Sequence, residues 1–360
     1  MPLSHTAAAA VEETRRQCEE PQTSRAVRPR VLTTHVKGNH PSWHTRVEML
    51  DGWDEEYRRR RNKPELQSVW NDLRWSWKLF RASRGYDVVV TGSERMALIF
   101  ALLQRFLRHD RVPHIFIECL WRLPEGRLRR WRRRTLLRWV AQAASRIVVH
   151  ARRQVGAYES ALGMAPGKFV FLRCQSSLYG AAYPVRVADY VFAGGDSGRD
   201  YSTLIEAARG LSCRVVIAAL GRDHFRGLVI PSNVEIVTLD PEEFNRTMAG
   251  AKLVVVPLKG GLLHSGGHQG FENAMTAGKT VVVADEWAED YIENGMTGIL
   301  VPPGDPTALR VAIQALLDNP EGARAMGQRA KAASPAFDPE VFFRGVFRLA
   351  EEVGSADLRR

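Results

Sequence analysis

The feature that most constrains the fold of this chain is a regular alternation of short apolar runs with longer amphipathic stretches. The short runs have the length of buried strands, and the long stretches carry apolar residues at helical spacing. Such alternation predicts parallel sheets covered by helices on both faces. The strands predicted in the first half are Arg30 to His35, Asp87 to Thr91, His114 to Ile117, Arg146 to His150 and Lys168 to Leu172. The helices predicted between them are Leu66 to Arg84, Glu94 to Arg108, Leu128 to Ala144 and Arg152 to Leu162.

The pattern restarts after Tyr183-Pro184 with a second series of the same kind. Its predicted strands are Tyr190 to Ala193, Arg214 to Ala219, Val234 to Leu239, Leu253 to Pro257, Thr280 to Ala284 and Gly298 to Val301. Its predicted helices are Arg199 to Gly210, Pro241 to Ala249, Gly270 to Ala277, Ala288 to Asn294 and Pro306 to Asp318. Two such series predict two doubly wound domains, with ligands at the carboxyl ends of strands in a cleft between them.

These series divide the chain into four predicted segments. Residues 1–27 read as a disordered tail, 28–183 as the first Rossmann-like domain and 184–335 as the second. The segment 336–360 carries Phe342, Phe343, Val346 and Phe347 at helical spacing. It is predicted as a helix that either crosses back to the first domain or caps the second.

Charge is distributed unevenly along the 360 residues. Residues 1–186 hold 34 Lys and Arg against 17 Asp and Glu, a net of +17; the remainder holds 17 against 23, a net of −6, which together give the overall +11. This asymmetry indicates separate roles for the two domains. An arginine-rich half favours a phosphate-rich partner, because the guanidinium fork binds phosphate in bidentate fashion. A solvated helix face explains the same charge equally well.

The densest basic run lies between Arg127 and Arg138, where arginines alternate with Leu128, Trp131 and Leu137. A basic helix with Trp and Leu has the composition of an interfacial helix on an anionic membrane surface. A helix packed on its own sheet by the same apolar residues is the alternative, and both remain open. Nucleic acid is the less favoured partner.

Two features of the sequence bear on the cellular setting. The four cysteines (Cys18, Cys119, Cys174 and Cys213) are far apart and form no CxxC pair, which argues against a zinc site or disulfide scaffold and for a reducing, cytoplasmic setting. The first residues lack the apolar core of a secretory signal, and no apolar run approaches the ~18 residues of a membrane span. The predicted location is therefore cytoplasmic, either free or peripheral at the inner face of the membrane.

The main chemical motif follows the predicted strand Leu253 to Pro257. A loop rich in glycine and polar side chains leads into a helix, and it contains Lys259, His264, Ser265, Gly266, Gly267, His268, Gln269 and Gly270. Glycine lets backbone N–H groups approach a ligand, and the helix N-terminus after it carries partial positive charge. The pattern predicts a diphosphate cradle. A plain tight turn is the simpler interpretation, but it does not require so many hydrogen-bonding side chains.

Residues 274–283 (AMTAGKTVVV) and 290–305 (DYIENGMTGILVPPGD) resemble the C-terminal domain of retaining GT-B glycosyltransferases of the family 4-like, group 1 type. The resemblance is specific over about residues 190–320 and faint before them. It implies a GT-B fold of two Rossmann-like domains facing a cleft. It also implies transfer of a sugar from a nucleotide-sugar donor held mainly by the C-terminal domain to an acceptor held mainly by the N-terminal domain.

The chain departs from that family where two glutamates normally stand eight positions apart. The resemblance places Asn273 at the second position, which contacts the donor ribose, and Ser265 at the first, which faces the donor sugar. Asn can still hydrogen-bond a ribose diol, without charge. Glu272 could replace it only if the helix were rotated by about 100°.

A second motif is the glycine pair Gly194-Gly195 after the first strand of the second domain, followed by Arg199. The resemblance implies that cations here neutralise the donor diphosphate, with Arg199 the first candidate and Lys259 the second. A cation at this place stabilises the leaving group as its bond to the sugar breaks. The alternative is that Asp196 or Ser197 caps the next helix and Arg199 lies on its surface.

In the first domain, the loop after the first strand contains Lys37, Gly38, Asn39 and His40. The resemblance places such a loop against the donor phosphates, and Lys37 and Gly38 are the binding candidates. Glu118 ends the strand His114 to Ile117, near where the family carries a residue that faces the donor sugar. A carboxylate at an apolar strand end is seldom filler, although it can also cap a turn.

The predicted catalytic residues are thus Glu118, Arg199, Ser265 and His268. No cofactor and no metal are expected, because the chain contains no Asp-x-Asp pair. The resemblance implies retention of anomeric configuration, and the acceptor is expected to be lipid-linked or otherwise anionic. Two alternatives stay open: a non-catalytic membrane- or polyanion-binding protein on the same scaffold, and a sugar-nucleotide epimerase that needs no acceptor.

Overall fold

The computed structural model describes residues 28–35, 43, 45–53, 55, 65–107, 111–184, 186–264 and 266–357. Within these ranges the chain forms two compact units, one of residues up to 172 together with 340–357, and one of residues 173–339. The boundary thus falls earlier than the predicted 183/184, because residues after Arg173 bond to a helix of the second unit. The predicted tail, residues 1–27, lies outside the described residues.

The first unit contains a six-stranded parallel sheet in the order β2-β1-β3-β4-β5-β6. Its strands are β1 (Val31–Thr33), β2 (Glu48–Met49), β3 (Val88–Thr91), β4 (His114–Phe116), β5 (Arg146–Val149) and β6 (Phe169–Phe171). The short edge strand β2 was not predicted, since two residues carry no periodicity. The other five lie within the predicted runs.

Helices cover both faces of the first sheet. They are α1 (Glu65–Ala82), α2 (Glu94–Leu107), α3 (Arg127–Ala143), α4 (Arg152–Leu162) and, from the end of the chain, α10 (Pro339–Asp357). Leu32 and Val89 face α1 and α2, whereas their strand neighbours Val31 and Val88 face α10, as the two-residue period of a strand requires. Helices α1 to α4 form one layer in which each packs beside the next.

The second unit contains a parallel sheet in the order β12-β11-β10-β7-β8-β9. Its strands are β7 (Tyr190–Gly194), β8 (Arg214–Ala218), β9 (Val234–Val237), β10 (Leu253–Pro257), β11 (Thr280–Ala284) and β12 (Ile299–Val301). Its helices are α5 (Tyr201–Ala208), α6 (Pro241–Gly250), α7 (His268–Thr276), α8 (Pro306–Asp318) and α9 (Pro320–Ala333). In chain order this is the 3-2-1-4-5-6 arrangement, whose strand order reverses between β7 and β10.

The structure corrects two helix predictions in the second unit. The predicted helix Ala288 to Asn294 is only a 3-10 turn at Ala288–Asp290, because Tyr291 turns inward to pack on Phe271. Helix α9 was not predicted, although Asn319 caps its N-terminus and Pro320 begins it. No helix in the described ranges combines the length and apolarity that crossing a bilayer requires.

Candidate active site

The loops that follow β7 and β10 meet where the strand order of the second sheet reverses. Arg199 pairs with Leu258 as an isolated antiparallel bridge. The backbone N–H of Asp200 donates to Pro257 (2.9 Å), and that of Lys259 donates to Gly198 (2.9 Å). Ligands of doubly wound sheets bind at this reversal point. The second unit therefore presents two joined loops at the position where a ligand is expected.

Arg199 is the residue that fixes these loops. Its side chain is buried, with Nε donating to the carbonyl of Gly194 (2.9 Å) and Nη1 donating to those of Ser197 (2.9 Å) and Gly266 (3.1 Å). Burial lowers the pKa of the guanidinium. The structure thus differs from the alternative that placed Arg199 on a helix surface. It also places the charge beneath the loops, where it bonds backbone carbonyls.

The helix after β7 begins differently from the prediction. Asp200 is the N-cap of α5, and its side chain accepts from Thr203 N. Asp196 accepts instead from the backbone N–H groups of Gly221 (2.8 Å) and Leu220 (3.1 Å). The predicted alternative cap, Asp196 or Ser197, is therefore wrong, and Asp196 holds the loop after β8.

The glycine-rich loop requires its glycines for packing. A Cβ on Gly266 would lie 2.6 Å from the carbonyl oxygen of Ser197, and one on Gly267 would lie 2.5 Å from a methyl of Leu258. A Cβ on Gly194 would lie 2.5 Å from the ring of Phe244, and Gly195 has a positive φ of 102°. These four predicted binding glycines thus let the two loops approach each other closely.

Side chains of the loop separate into exposed and buried groups. Lys259 and Gln269 are exposed, whereas His264 and His268 are buried. The ring of His268 lies 4.8 Å from that of Tyr291 and 5.5 Å from that of Phe271. The predicted catalytic Ser265 lies outside the described residues.

Helix α7 begins directly at the end of this loop. Gly267 is its N-cap, and its first turn contains no acidic residue. The loop is also held from the β11 side, where the indole N–H of Trp287 donates to Leu262 (3.0 Å) and the backbone N–H of Gly261 donates to Glu286 (3.3 Å). Sequence analysis missed Trp287 and Glu286, for which the chain gives no periodic signal. A helix that starts at a glycine-rich loop is an arrangement that can bind anions.

Asn273 and Glu272 occupy different environments on α7. The amide oxygen of Asn273 accepts from Ser176 Oγ (2.8 Å) and from Ser177 N (3.0 Å), and its Nδ2 donates to Ser177 Oγ (3.0 Å). Asn273 therefore anchors the segment that enters the second unit. Its amide is already occupied by these bonds at the position that the family resemblance assigned to ribose.

Glu272 is fully buried, and neither of its carboxylate oxygens has a nitrogen or oxygen partner among the described residues. Burial raises the pKa of this carboxyl to about 8, against the opposing effects of Arg173 and the Cys174 thiol. The carboxyl is thus largely protonated at neutral pH. The one-residue rotation that would present Glu272 to a ribose does not occur in this structure.

In the first unit, two polar side chains meet at the carboxyl edge of the sheet. Nδ1 of the buried His35, just past β1, lies 4.0 Å from Oε1 of Glu118, just past β4. A Cβ on Gly92 would lie 2.4 Å from the same nitrogen, so the ring requires a glycine beside it. Sequence analysis identified Glu118 and missed His35 as its neighbour. Lys37 and Gly38 lie outside the described residues, as do Asn39 and His40.

Metal ligands do not cluster in the described ranges: no group of three or more His, Cys, Asp or Glu side chains there could hold an ion. Cys119, Cys174 and Cys213 are all free thiols. The described loops offer backbone N–H groups, the start of α7 and the exposed Lys259.

The family model described as glycosyl transferases group 1 matches residues 196–319. This span contains both joined loops, α7 and the Asp290 to Asp305 motif. Residues 196–319 are thus similar to a group 1 glycosyltransferase domain. The resemblance to group 1 glycosyltransferases found in the sequence is confirmed over these residues.

Solved structures extend the likeness to the whole described fold. Sucrose-phosphate synthase from Thermosynechococcus elongatus aligns with 82% of this chain and 81% of its own, at a TM-score of 0.67 and 19% identity. HepE from Anabaena, solved in complex with UDP-glucose, aligns with 91% of this chain and 100% of its own, at a TM-score of 0.63 and 16% identity. A glycosyltransferase from Rickettsia africae aligns with 91% of this chain and 99% of its own, at a TM-score of 0.63 and 11% identity. These matches confirm the predicted GT-B fold. No curated protein matches this chain in sequence.

Proposed function

We propose that this glycosyltransferase moves a sugar from a nucleoside diphosphate sugar to an acceptor hydroxyl, and that its second unit binds the donor. The observation that carries the proposal is the start of α7 at a glycine N-cap, directly at the end of the glycine-rich loop and without an acidic residue in its first turn. That loop lies at the reversal point of the sheet, where doubly wound folds bind their ligands, and within the residues that match the group 1 family model. The helix dipole there favours a diphosphate.

Three groups of the second unit have distinct roles in this proposal. Backbone N–H groups at the start of α7 bind the diphosphate, and the exposed Lys259 supplies positive charge beside it. Arg199 is a positioning residue, because its guanidinium bonds the carbonyls of Gly194, Ser197 and Gly266 and so keeps both loops in place. His268 acts in the same way, through the packing of its ring on Tyr291.

The reaction that fits these groups retains the anomeric configuration without a metal ion. The bond between the anomeric carbon and the phosphate oxygen breaks, and its electron pair leaves with the diphosphate. The acceptor oxygen bonds to the same face of that carbon, and its proton passes to the departing phosphate. The resemblance to retaining enzymes supports this course, as does the absence of an Asp-x-Asp pair from the chain. In the first unit, Glu118 and His35 are the candidate contacts to the sugar.

The donor base and the acceptor belong to the proposal as well. The solved complex of HepE with UDP-glucose supports a uridine nucleotide as the first donor to test. The arginine-rich first unit supports a lipid-linked or otherwise anionic acceptor at the inner face of a membrane, since cations attract both.

Thermal shift with UDP, GDP, ADP and their sugars tests the donor site. We expect UDP to raise the melting temperature, because a ligand that binds only the folded state stabilises it. Lys259→Ala, at an exposed position, should reduce that shift several-fold. Lys331→Ala, an exposed lysine on α9, is the matched control and should leave it unchanged. No shift with any nucleoside diphosphate would contradict the proposal.

The stereochemistry and the metal dependence of the reaction can be measured directly. NMR of the product formed from UDP-α-sugar should show the α anomer, and EDTA should leave the rate unchanged. Inversion would overturn the retaining course. Conversion of the donor sugar without any acceptor would identify an epimerase instead.

A further inference from the structure

Large apolar side chains are exposed on one layer of helices in the first unit. Of the described residues, every exposed Trp or Phe lies on α1, α2 or α3. We define the outer helix face by their exposed apolar residues: Val69, Trp70, Leu73 and Trp77 on α1, Phe106 and Leu107 on α2, and Leu128, Trp131 and Trp139 on α3. Trp70 is 76% exposed and Trp131 is 63% exposed. Single exposed apolar residues are ordinary, but nine on three neighbouring helices are not.

Helix α1 carries this face in addition to its core face. Trp75 and Leu79 are buried against the sheet, whereas Trp70, Leu73 and Trp77 point to solvent. Residues 69, 73 and 77 follow one another at four-residue spacing and therefore share one side of the helix. The outer stripe therefore lies on the solvent side of α1, where Trp77 also stacks on Phe80 at 5.5 Å between ring centroids.

The face continues across α2 to α3. The ring of Phe106 contacts that of Trp139 at 6.3 Å between centroids, and the guanidinium of Arg105 lies 5.8 Å from the Trp139 centroid. Helices α1 and α2 pack side by side, as do α2 and α3. The exposed apolar residues thus belong to one continuous layer of helices.

Arginines surround these apolar groups. Helix α3 contains seven arginines and no acidic residue. Arg133 pairs with Glu94 on α2 (2.8 Å), but Arg129, Arg130 and Arg132 are exposed beside Trp131. A surface of Trp, Leu and Phe side chains among arginines suits the interface of a bilayer. There the aromatic rings lie at headgroup depth and the guanidinium groups contact lipid phosphates.

We propose that the outer helix face docks the protein on membranes that contain anionic lipids. The arginine density sets this face apart from a protein interface, whose core is depleted of charge. The aliphatic residues Val69, Leu73, Leu107 and Leu128 set it apart from a nucleic-acid surface, since bases stack on rings and not on aliphatic chains. A lipid headgroup region takes both classes of side chain. The proposal does not depend on the proposed reaction.

Binding of the full-length protein to phosphatidylcholine vesicles, with and without 30% phosphatidylglycerol, tests the docking face. We expect binding to the anionic vesicles, weakening as salt is raised. Brominated lipids should quench tryptophan fluorescence, because Trp70, Trp77, Trp131 and Trp139 are exposed on this face. The triple variant Arg129→Gln, Arg130→Gln, Arg132→Gln should bind about 100-fold more weakly, at about fivefold per arginine.

The apolar contribution is tested separately. Trp70→Glu with Leu73→Glu should reduce quenching and weaken vesicle binding at least tenfold. Both residues are exposed, so melting temperature should stay near that of the wild type, which checks folding. The matched control is Val311→Glu with Arg324→Gln, exposed positions on α8 and α9, and it should bind as the wild type does.

Three results would overturn the docking face. One is equal binding of wild type and variants to anionic vesicles. Another is binding without quenching by brominated lipids, which would leave the tryptophans outside the bilayer. The third is preference for RNA or heparin over anionic vesicles at equal salt, which would identify a polyanion surface instead.

Discussion

Both units are built on six-stranded parallel sheets, yet their polar side chains act in different places. In the second unit, buried Arg199 and Asn273 bond the backbone of loops at or near the carboxyl edge. In the first unit, the carboxyl edge is packed by rings: His35 lies 5.9 Å from Trp43, which stacks on Phe343 at 4.6 Å. There the arginines point outward from the helix layer. One unit uses polar groups to hold its loops, and the other presents them on an exposed face.

This difference teaches that a fold shared by two units does not fix what either one binds. The charge of the halves, +17 and −6, follows the same division. It predicts that substitutions in the two units will affect different measured properties. Loss of the buried loop bonds should affect stability and donor binding, whereas loss of outer arginines should affect only vesicle binding.

The largest effect is expected from Arg199→Met. The substitution keeps apolar volume but leaves the carbonyls of Gly194, Ser197 and Gly266 without their donor. Each buried acceptor without a partner costs about 1–3 kcal/mol, so the loss of three should lower the free energy of unfolding by at least about 3 kcal/mol. Urea denaturation measures this loss, and the UDP-induced thermal shift should disappear with it.

The control for Arg199→Met is Arg246→Met. Arg246 is exposed and pairs with Glu242 one turn away on α6, and such pairs contribute under about 0.5 kcal/mol. Vesicle binding should survive in the folded fraction of both variants. Equal losses for the two would show that the buried guanidinium does not hold the loops.

The next effect concerns pH and Glu272→Gln. The folded-state pKa of Glu272 is raised to about 8 from an ordinary value of 4.5. Its contribution to stability is therefore fully present below pH 4.5 and is lost as the pH rises toward 8. Gln cannot ionise, so the stability of this variant relative to wild type should increase by about 3 kcal/mol between pH 5 and pH 8.

Melting curves of wild type and variant across that pH range measure the difference. Glu243→Gln is the matched control, because Glu243 is exposed on α6 and the substitution should leave the pH profile parallel to that of the wild type. A Glu272→Gln profile that also runs parallel would mean that the carboxyl ionises in the folded protein as readily as in water.

The fold was predictable because apolar residues recur at regular strand and helix spacing in both halves of the chain. The strand β10 is a run of apolar residues with Val at its centre, and the sequence analysis placed both of its ends correctly at Leu253 and Pro257. Helix α9 was missed because Gly322 and Gly327 interrupt its pattern. Gly327 is needed there, since a Cβ would lie 2.4 Å from the carbonyl oxygen of Gly278. Only tertiary contact reveals such a requirement.

The candidate site was predictable in position and less so in roles. The glycine-rich loop and the pair Gly194-Gly195 do meet at the reversal point, as strand order requires. The sequence does not show that Arg199 turns under the loops. Nor does it show that Glu272, and not Asn273, faces the core, because both arrangements depend on packing around Tyr291 and Ser177. Neighbouring positions on a helix point about 100° apart, and sequence alone does not fix which one faces inward.

The smallest effect is expected at Asn273, whose amide bonds the loop of Ser176 and Ser177. Asn273→Ala should lower the free energy of unfolding by about 2 kcal/mol and Ser177→Ala by about 1 kcal/mol. The double variant should lose less than their sum, because both substitutions remove the same side-chain hydrogen bonds. Chemical denaturation of the four proteins completes the cycle. Additive losses would mean that the two residues act independently, and Asn273 would then be open to a ligand. In that case the second unit would depend less on buried polar bonds than its contrast with the first unit implies.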